Sequence, residues 1–220
     1  MYPNTLFRSA DEKQNLAFAE ARGFGMLTIN GDEGLLAAHI PFCICDDGAR
    51  IELHLARVNP ILKQLSQPIE CLLAVNGPDG YVSPDWYELD NNQVPTWNYV
   101  TVHIRGALKL LPPEDLPGVV ERLSAQFEAR LSPKPPWRAS KMDANVYARM
   151  QRAIAPLEIS VEAIDATWKL SQNKPEAARQ RVSSALRNST VGAQLSDLSR
   201  FVNEHSEAMS AETMNADGER

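Results

Sequence analysis

Flat side chains crowd into one short stretch of the sequence. Five of the fifteen Phe, Trp and Tyr residues (Tyr81, Trp86, Tyr87, Trp97 and Tyr99) fall within residues 81–99, which close on Val94-Pro95-Thr96-Trp97-Asn98-Tyr99. Two readings follow from the residues alone. One is a packed Tyr/Trp corner of the core. The other is a surface for a flat conjugated ligand, because aromatic faces recognise rings at modest entropic cost.

A second segment, His54-Leu55-Ala56-Arg57-Val58-Asn59-Pro60, sets a strand end before a helix start, with Asn as N-cap and Pro at the first helical position. The first amides of a helix lack internal partners and carry partial positive charge, and Arg57 adds a forked donor beside them. That combination suits a phosphate monoester. An N-capped helix beside a solvated arginine is the plainer alternative. A third segment, Lys169-Leu170-Ser171-Gln172-Asn173-Lys174, is a donor-rich loop between a strand and a helix, suited to a ligand's polar edge.

Other chemistries find little support. His39, His54, His103 and His205 show no i, i+4 pairing, and neither H-E-x-x-H nor C-x-x-C occurs, so no metal site is expected. No G-x-S-x-G, G-x-G-x-x-G or G-x-x-x-x-G-K-[ST] pattern is present, which argues against hydrolysis at a nucleophile elbow and against Rossmann or P-loop nucleotide sites. No catalytic residue is assigned. Cys43, Cys45 and Cys71 read as free, small buried hydrophobes in a reducing cytoplasm.

The formal net charge of the 220 residues is −6; residues 203–220 hold five acids and one Arg, −4, leaving −2 for the first 202. A nearly neutral body with an acidic tail does not fit nucleic-acid binding by overall positive charge. No run of eighteen apolar residues exists, so no membrane span is expected, and the N-terminus lacks the pattern of a secretory signal.

The elements that must position these residues are mostly strands. A helix over 11–22, with Leu16, Ala17, Phe18 and Ala21 inward, ends at Gly23. A hairpin turns at Asn30-Gly31 between 24–29 and 35–44. Strands follow at 50–56, at 69–76 and at 99–110, the last with Val100, Val102 and Ile104 on one face and Trp97, Tyr99, Thr101 and His103 on the other. A short helix runs from Asn59-Pro60 to about Leu65. Pro-rich junctions bracket a helix with Leu116, Val119, Val120, Leu123, Phe127 and Leu131 inward, and a second helix covers 142–152. Residues 157–162 alternate as a half-exposed strand, and helices cover about 175–187 and 191–203. The sum is a mainly β, α+β chain: an antiparallel barrel with peripheral helices. Residues 1–175 are expected as the barrel domain with inserted helices at about 112–152, residues 176–207 as a helical extension, and 208–220 as a disordered acidic tail.

These motifs, in order, resemble the PaiB-type FMN-binding negative transcriptional regulators. The resemblance rests on Met-Tyr-Pro with Phe7, Gly23-Phe24-Gly25, Ala38-His39-Ile40-Pro41, His54-Leu55-Ala56-Arg57 with Asn59-Pro60, Gly77-Pro78, Tyr81 to Pro84, Trp86-Tyr87, Pro95 to Tyr99 and Lys169 to Asn173. It covers about residues 1–188. It implies an FMN-binding split β-barrel and a homodimer with flavin at the subunit interface. By the same resemblance, Ala38, His39 and Ile40 present backbone groups to the ring edge, and His54, Arg57 and Asn59 hold the ribityl-phosphate end. Thr96, Trp97, Asn98 and Tyr99 line the isoalloxazine, and Lys169, Gln172 and Asn173 add polar contacts.

Regulation implies DNA as a partner. The candidate element is a helix-turn-helix formed by 176–187 and 191–203 with Arg179, Arg181, Arg187 and Arg200; two helices packing on the barrel or a dimer partner are the commoner arrangement. A flavin-dependent oxidoreductase or flavin reductase is an alternative function. A haem protein ligated through His39, His54 or His103 is a second.

Overall fold

The computed structural model describes residues 2–204, so His205 and the expected tail at 208–220 lie outside the described residues. The described residues form seven strands: β1 (Phe24–Gly31), β2 (Gly34–Cys45), β3 (Arg50–Ala56), β4 (Ile69–Val82), β5 (Thr96–Leu110), β6 (Ile154–Lys169) and β7 (Gly192–Ala193). Five helices accompany them: α1 (Glu12–Arg22), α2 (Leu116–Glu128), α3 (Ala144–Gln151), α4 (Glu176–Arg187) and α5 (195–204). The hydrogen-bonded order is β1-β2-β3-β6-β5-β4-β7, and β1 also pairs with β4, so the sheet closes on itself. The ladders β1–β2, β1–β4, β2–β3, β3–β6 and β4–β7 are antiparallel. The expected antiparallel barrel architecture is the observed one.

The chain forms two compact units, and β4, β5 and β6 contribute residues to both. The first unit takes Glu12–Val75 and Val102–Ile164. Its core alternates along each strand, with Leu27, Ile29, Ile40, Phe42, Ile51, Leu53, Leu73, Val102, Ile104, Leu157 and Ile159 buried, and α2 adds Leu116, Val119 and Leu123. Burial of inward aliphatic side chains at alternate positions is the main stabilising term here. Gly106 permits a close passage of β5 and β6: a Cβ there would lie 2.0 Å from the Ser160 carbonyl oxygen.

The second unit takes Met1–Asp11, Asn76–Thr101 and the chain from Asp165 onward. Phe7, Val82, Tyr87, Val100, Trp168, Ala178, Val182, Leu186, Leu198 and Val202 are buried in it. The β4–β7 ladder joins Asp79 to Ala193 and Gly80 to Gly192.

Several expectations need correction. The hairpin turns at Asp32-Glu33, not Asn30-Gly31, because Phe24↔Pro41 through Gly31↔Gly34 pair along the full strand. The ladder continues where Phe42 N donates to Gly23 O at 3.0 Å, and this longer pairing outweighs the local Asn-Gly preference. α1 buries Asn15, Phe18 and Ala19, whereas Ala17 and Ala21 are exposed. Leu131 is exposed because α2 ends at Glu128 and the chain tightens into a 3₁₀ turn over Ala129–Leu131. The stretch read as one helix at 191–203 begins as strand β7 and becomes helical only from 195. β6 runs sixteen residues, so Lys169 ends a strand, and Glu158 is buried.

Candidate functional site

The expected contacts fall in both units. In the first unit, β3 carries His54 opposite Pro156 of β6. The side chain is half-buried, and its Nδ1 is buried without a hydrogen-bond partner among the described residues. Burial holds the imidazole below its ordinary value, so it is neutral near pH 7. The Arg57 backbone N–H donates to Ala153 O at 2.9 Å, and its Nε donates to Arg152 O at 3.0 Å. The side chain is exposed, with its two terminal nitrogens beyond those bonds.

Asn59 caps as expected, its Oδ1 accepting from Ile61 N at 3.0 Å. What it caps is a five-residue 3₁₀ helix, Pro60–Gln64, not an α-helix. Such a short run has i→i+3 bonds and little summed dipole, so the expected anion-binding helix end is largely lost. The guanidinium and the orphaned imidazole nitrogen remain.

β2 places Ala38, His39 and Ile40 opposite Leu27, Met26 and Gly25 of β1. Its register with β3 begins only at Phe42↔Leu53. Over 34–41, therefore, the edge of β2 away from β1 has no strand partner in register among the described residues, and such an edge offers backbone N–H and C=O groups outward. Ile40 is buried, whereas His39 is exposed and stacks on Phe24, with centroids 6.3 Å apart at 21°.

In the second unit, the aromatic segment divides between the two expected roles. Tyr87 is 2% exposed and belongs to the core. Trp97 is 45% exposed and meets Tyr81 edge to face, with centroids 6.3 Å apart. Alternation along β5 separates Thr96 and Asn98 from Trp97 and Tyr99. Tyr99 is half-buried, and burial pushes its phenol up against a hydrogen bond with Thr167. The four residues therefore do not form one wall.

Thr96, Asn98, Lys169 and Asn173 do come together. They line a cavity of about 220 Å³ with Tyr2, Phe7, Tyr87, Ser171 and Lys174. Lys169 Nζ donates to Thr96 Oγ1 at 2.5 Å and sits 4.8 Å from the Tyr2 ring centroid; burial holds the ammonium below the ordinary lysine value. Asn98, fully buried, and Ser171 exchange hydrogen bonds at 2.9 and 3.2 Å. Gln172 turns away: its Oε1 accepts from Leu170 N at 2.7 Å and its Nε2 donates to Trp168 O. It braces the loop and is no cavity contact. The donor-rich loop already pointed to Lys174, but nothing local placed Tyr2 and Phe7 here, because only the tertiary fold brings the N-terminus to this loop.

The sequence reading also missed a charged cluster in the first unit. Glu52 and Glu158 are buried and linked through Arg50, and Arg122 and Lys109 complete the set. The three cysteines are free; burial pushes Cys45 and Cys71 up to about 12, which fits unreactive packing thiols.

Comparison with known proteins fixes the family. Residues 1–163 match a family model described as "Putative FMN-binding domain". The chain belongs to this FMN-binding family. A relative from Bacillus subtilis (strain 168), named Protease synthase and sporulation protein PAI 2, is 28% identical over 190 residues, covering 86% of this chain and 90% of the relative. Among solved structures, the FAD and haem binding protein from Mycobacterium smegmatis matches with a TM-score of 0.53 at 14% identity, over 74% of this chain and 73% of that one. The flavocytochrome Anf3 from Azotobacter vinelandii gives 0.50 at 17% identity, over 76% and 72%. At these identities the structural likenesses establish the split-barrel fold alone.

The family's cofactor is FMN, and the residues at β3 and β2 fit such a group. An anionic phosphate needs a cation and hydrogen-bond donors, and the exposed Arg57 guanidinium and the His54 Nδ1, without a partner among the described residues, are groups of that kind. A heteroaromatic ring edge carries donors and acceptors, which the unpaired β2 edge matches. Among the described residues, no group of three or more His, Cys, Asp or Glu side chains could hold a metal ion, and no helix is long and apolar enough to cross a membrane.

Proposed function

We propose that this protein binds FMN at a homodimer interface and acts as a flavin-linked negative regulator, as its resemblance to the PaiB-type family implies. The single observation that carries the flavin assignment is His54, a neutral, half-buried imidazole whose Nδ1 lacks a partner while Arg57 stands three residues on. A buried polar atom without a partner is costly, and a ligand that bonds it recovers that cost.

In this reading Arg57 pairs with the phosphate and His54 bonds the same end of the ligand. Ala38, His39 and Ile40 offer main-chain groups to the ring edge, and the exposed Trp97 of the second unit is the flat surface that the resemblance assigns to the ring. Of the further polar residues that the resemblance assigns, Gln172 is dropped because its amide braces its own loop, and Lys169 and Asn173 line the cavity of the second unit. FMN, when bound, supplies reversible acceptance of one or two electrons. The protein residues bind and orient it.

Homodimerisation is supported by the unpaired β2 edge and by exposed apolar side chains of the same unit, Phe24, Leu35 and Val58. The regulatory part is supported by the PAI 2 relative, whose name attaches it to sporulation. Direct DNA contact by α4 and α5 is less well supported. Arg179 is buried, Arg181 meets Tyr87 O and Glu88, Arg187 donates to Ser199, and Arg200 pairs with Asp197 and Glu204. Cations held within the fold leave little electrostatic footprint for phosphates.

The test is the absorption spectrum of the purified protein with added FMN, followed by NAD(P)H consumption and promoter-fragment retardation. Twin flavin bands without NAD(P)H turnover, together with salt-sensitive retardation, support the regulator. Flavin bands with turnover support the oxidoreductase, and an intense Soret band supports haem ligation.

A further inference from the structure

The cavity between β5, the end of β6 and the loop after it holds two ammonium groups and no acid. Lys169 and Lys174 both line it, and no carboxylate does. Among the described residues neither forms an ion pair. Lys169 rests on Thr96 and the Tyr2 ring; Lys174 donates to Gln93 Oε1 at 2.6 Å and lies 4.7 Å from the Tyr87 centroid. The exposed Asp90 accepts from Gln93 and also feels the Lys174 charge, but it does not line the cavity. Rings and hydroxyls stabilise an ammonium but do not cancel its charge. Two like charges facing one small space, part-shielded from water, attract an anion.

The backbone here is also held in an uncommon state. Ser171 adopts φ +63, a left-handed conformation rare for serine. The reciprocal Asn98–Ser171 bonds and the Gln172 brace hold it there. Strain maintained by surrounding structure gathers at ligand clamps. Here it sets the Ser171 hydroxyl and the Asn173 amide on the wall of the cavity.

We infer that this cavity is a binding site for a small oxyanion, the carboxylate or phosphate of a small molecule, gripped by Lys169 and Lys174. The inference does not depend on flavin binding. It takes Thr96, Asn98, Lys169 and Asn173, which the family resemblance assigns to flavin contacts, as parts of a site of their own.

Calorimetric titration of the full-length protein in a phosphate-free zwitterionic buffer tests this, with inorganic phosphate and acetate as probes, each with and without saturating FMN. Saturable binding of at least one probe is expected, unaffected by FMN, and the preferred probe tells phosphate from carboxylate. Asn173→Asp, which adds a negative charge at an exposed position, and Lys174→Gln should each weaken binding at least tenfold with unchanged circular dichroism. Absence of saturable heat with both probes overturns the inference, as does unchanged affinity in both variants. Loss of anion binding once FMN is bound also overturns it, by making the cavity part of the flavin site. If FMN itself fails to bind, the flavin-free titration still decides.

Discussion

Glu52 on β3 and Glu158 on β6 are direct cross-strand partners, two buried carboxylates in register with each other. Like charges placed so would repel. Arg50 reconciles them, its Nη1 lying 2.8 Å from Glu52 and 2.9 Å from Glu158, while Arg122 takes the other side of Glu52 and Lys109 that of Glu158. Burial pushes the Glu158 carboxyl up, but the bonds from Lys109 and Arg50 outweigh it and hold the group below the usual glutamate range.

Removing that charge should cost stability. Glu158→Gln is expected to lose about 1.5–3 kcal/mol at pH 7, the range for hydrogen bonds to charged groups. Denaturant melts of both proteins check this, and an unchanged midpoint would show that the ion pairs of Glu158 add no net stability.

The same group sets an acid limit. Because the folded value lies below the ordinary 4.5, the contribution of Glu158 is fully present above pH 4.5 and lost as pH falls below it through the lowered value. Thermal melts from pH 7 to pH 3 should show a steeper loss below pH 4.5 in the native protein than in Glu158→Gln.

Gly106 is fixed by space rather than by backbone freedom. In Gly106→Ala the new Cβ would meet the Ser160 carbonyl at 2.0 Å, a distance that only backbone movement relieves. A loss of about 1–3 kcal/mol is expected, as for other overpacked sites. Chemical denaturation of the variant checks it.

Trp97→Ala should weaken flavin binding while leaving the fold intact. The side chain is nearly half exposed and, among the described residues, meets only the Tyr81 ring, so stability should change by about 0.5 kcal/mol or less, as for most surface positions. Circular dichroism and FMN titration of the same sample separate the two effects.

Legibility in the sequence followed how local the determining physics was. β3 came out at its true bounds because Ile51, Leu53 and Leu55 alternate between turn signals, and α4 was marked by Pro175 at its start. The faces of β5 were also readable, Val100, Val102 and Ile104 inward and Trp97 outward. Three things were not. The β1–β2 register depends on total pairing length, which overrode a strong Asn-Gly signal. The turn after Asn59 is too short to become α-helical, although Asn-Pro marks its start correctly. Glu158 looked like the outward residue of a half-exposed strand, because nothing local announces Arg50 and Lys109 as its partners. Of the expected site, the residue types were visible, but the inward turn of Gln172 and the split between Thr96/Asn98 and Trp97/Tyr99 emerge only from the fold.

The phosphate assignment rests most heavily on Arg57. Equilibrium titration of the wild-type protein and Arg57→Ala with FMN tests it most directly. The wild type should bind saturably, one flavin per chain, and the variant should bind more weakly by about 1.5–3 kcal/mol, or roughly ten- to 150-fold. Equal affinity in the two proteins, or no binding by the wild type, would contradict a flavin site built on His54 and Arg57.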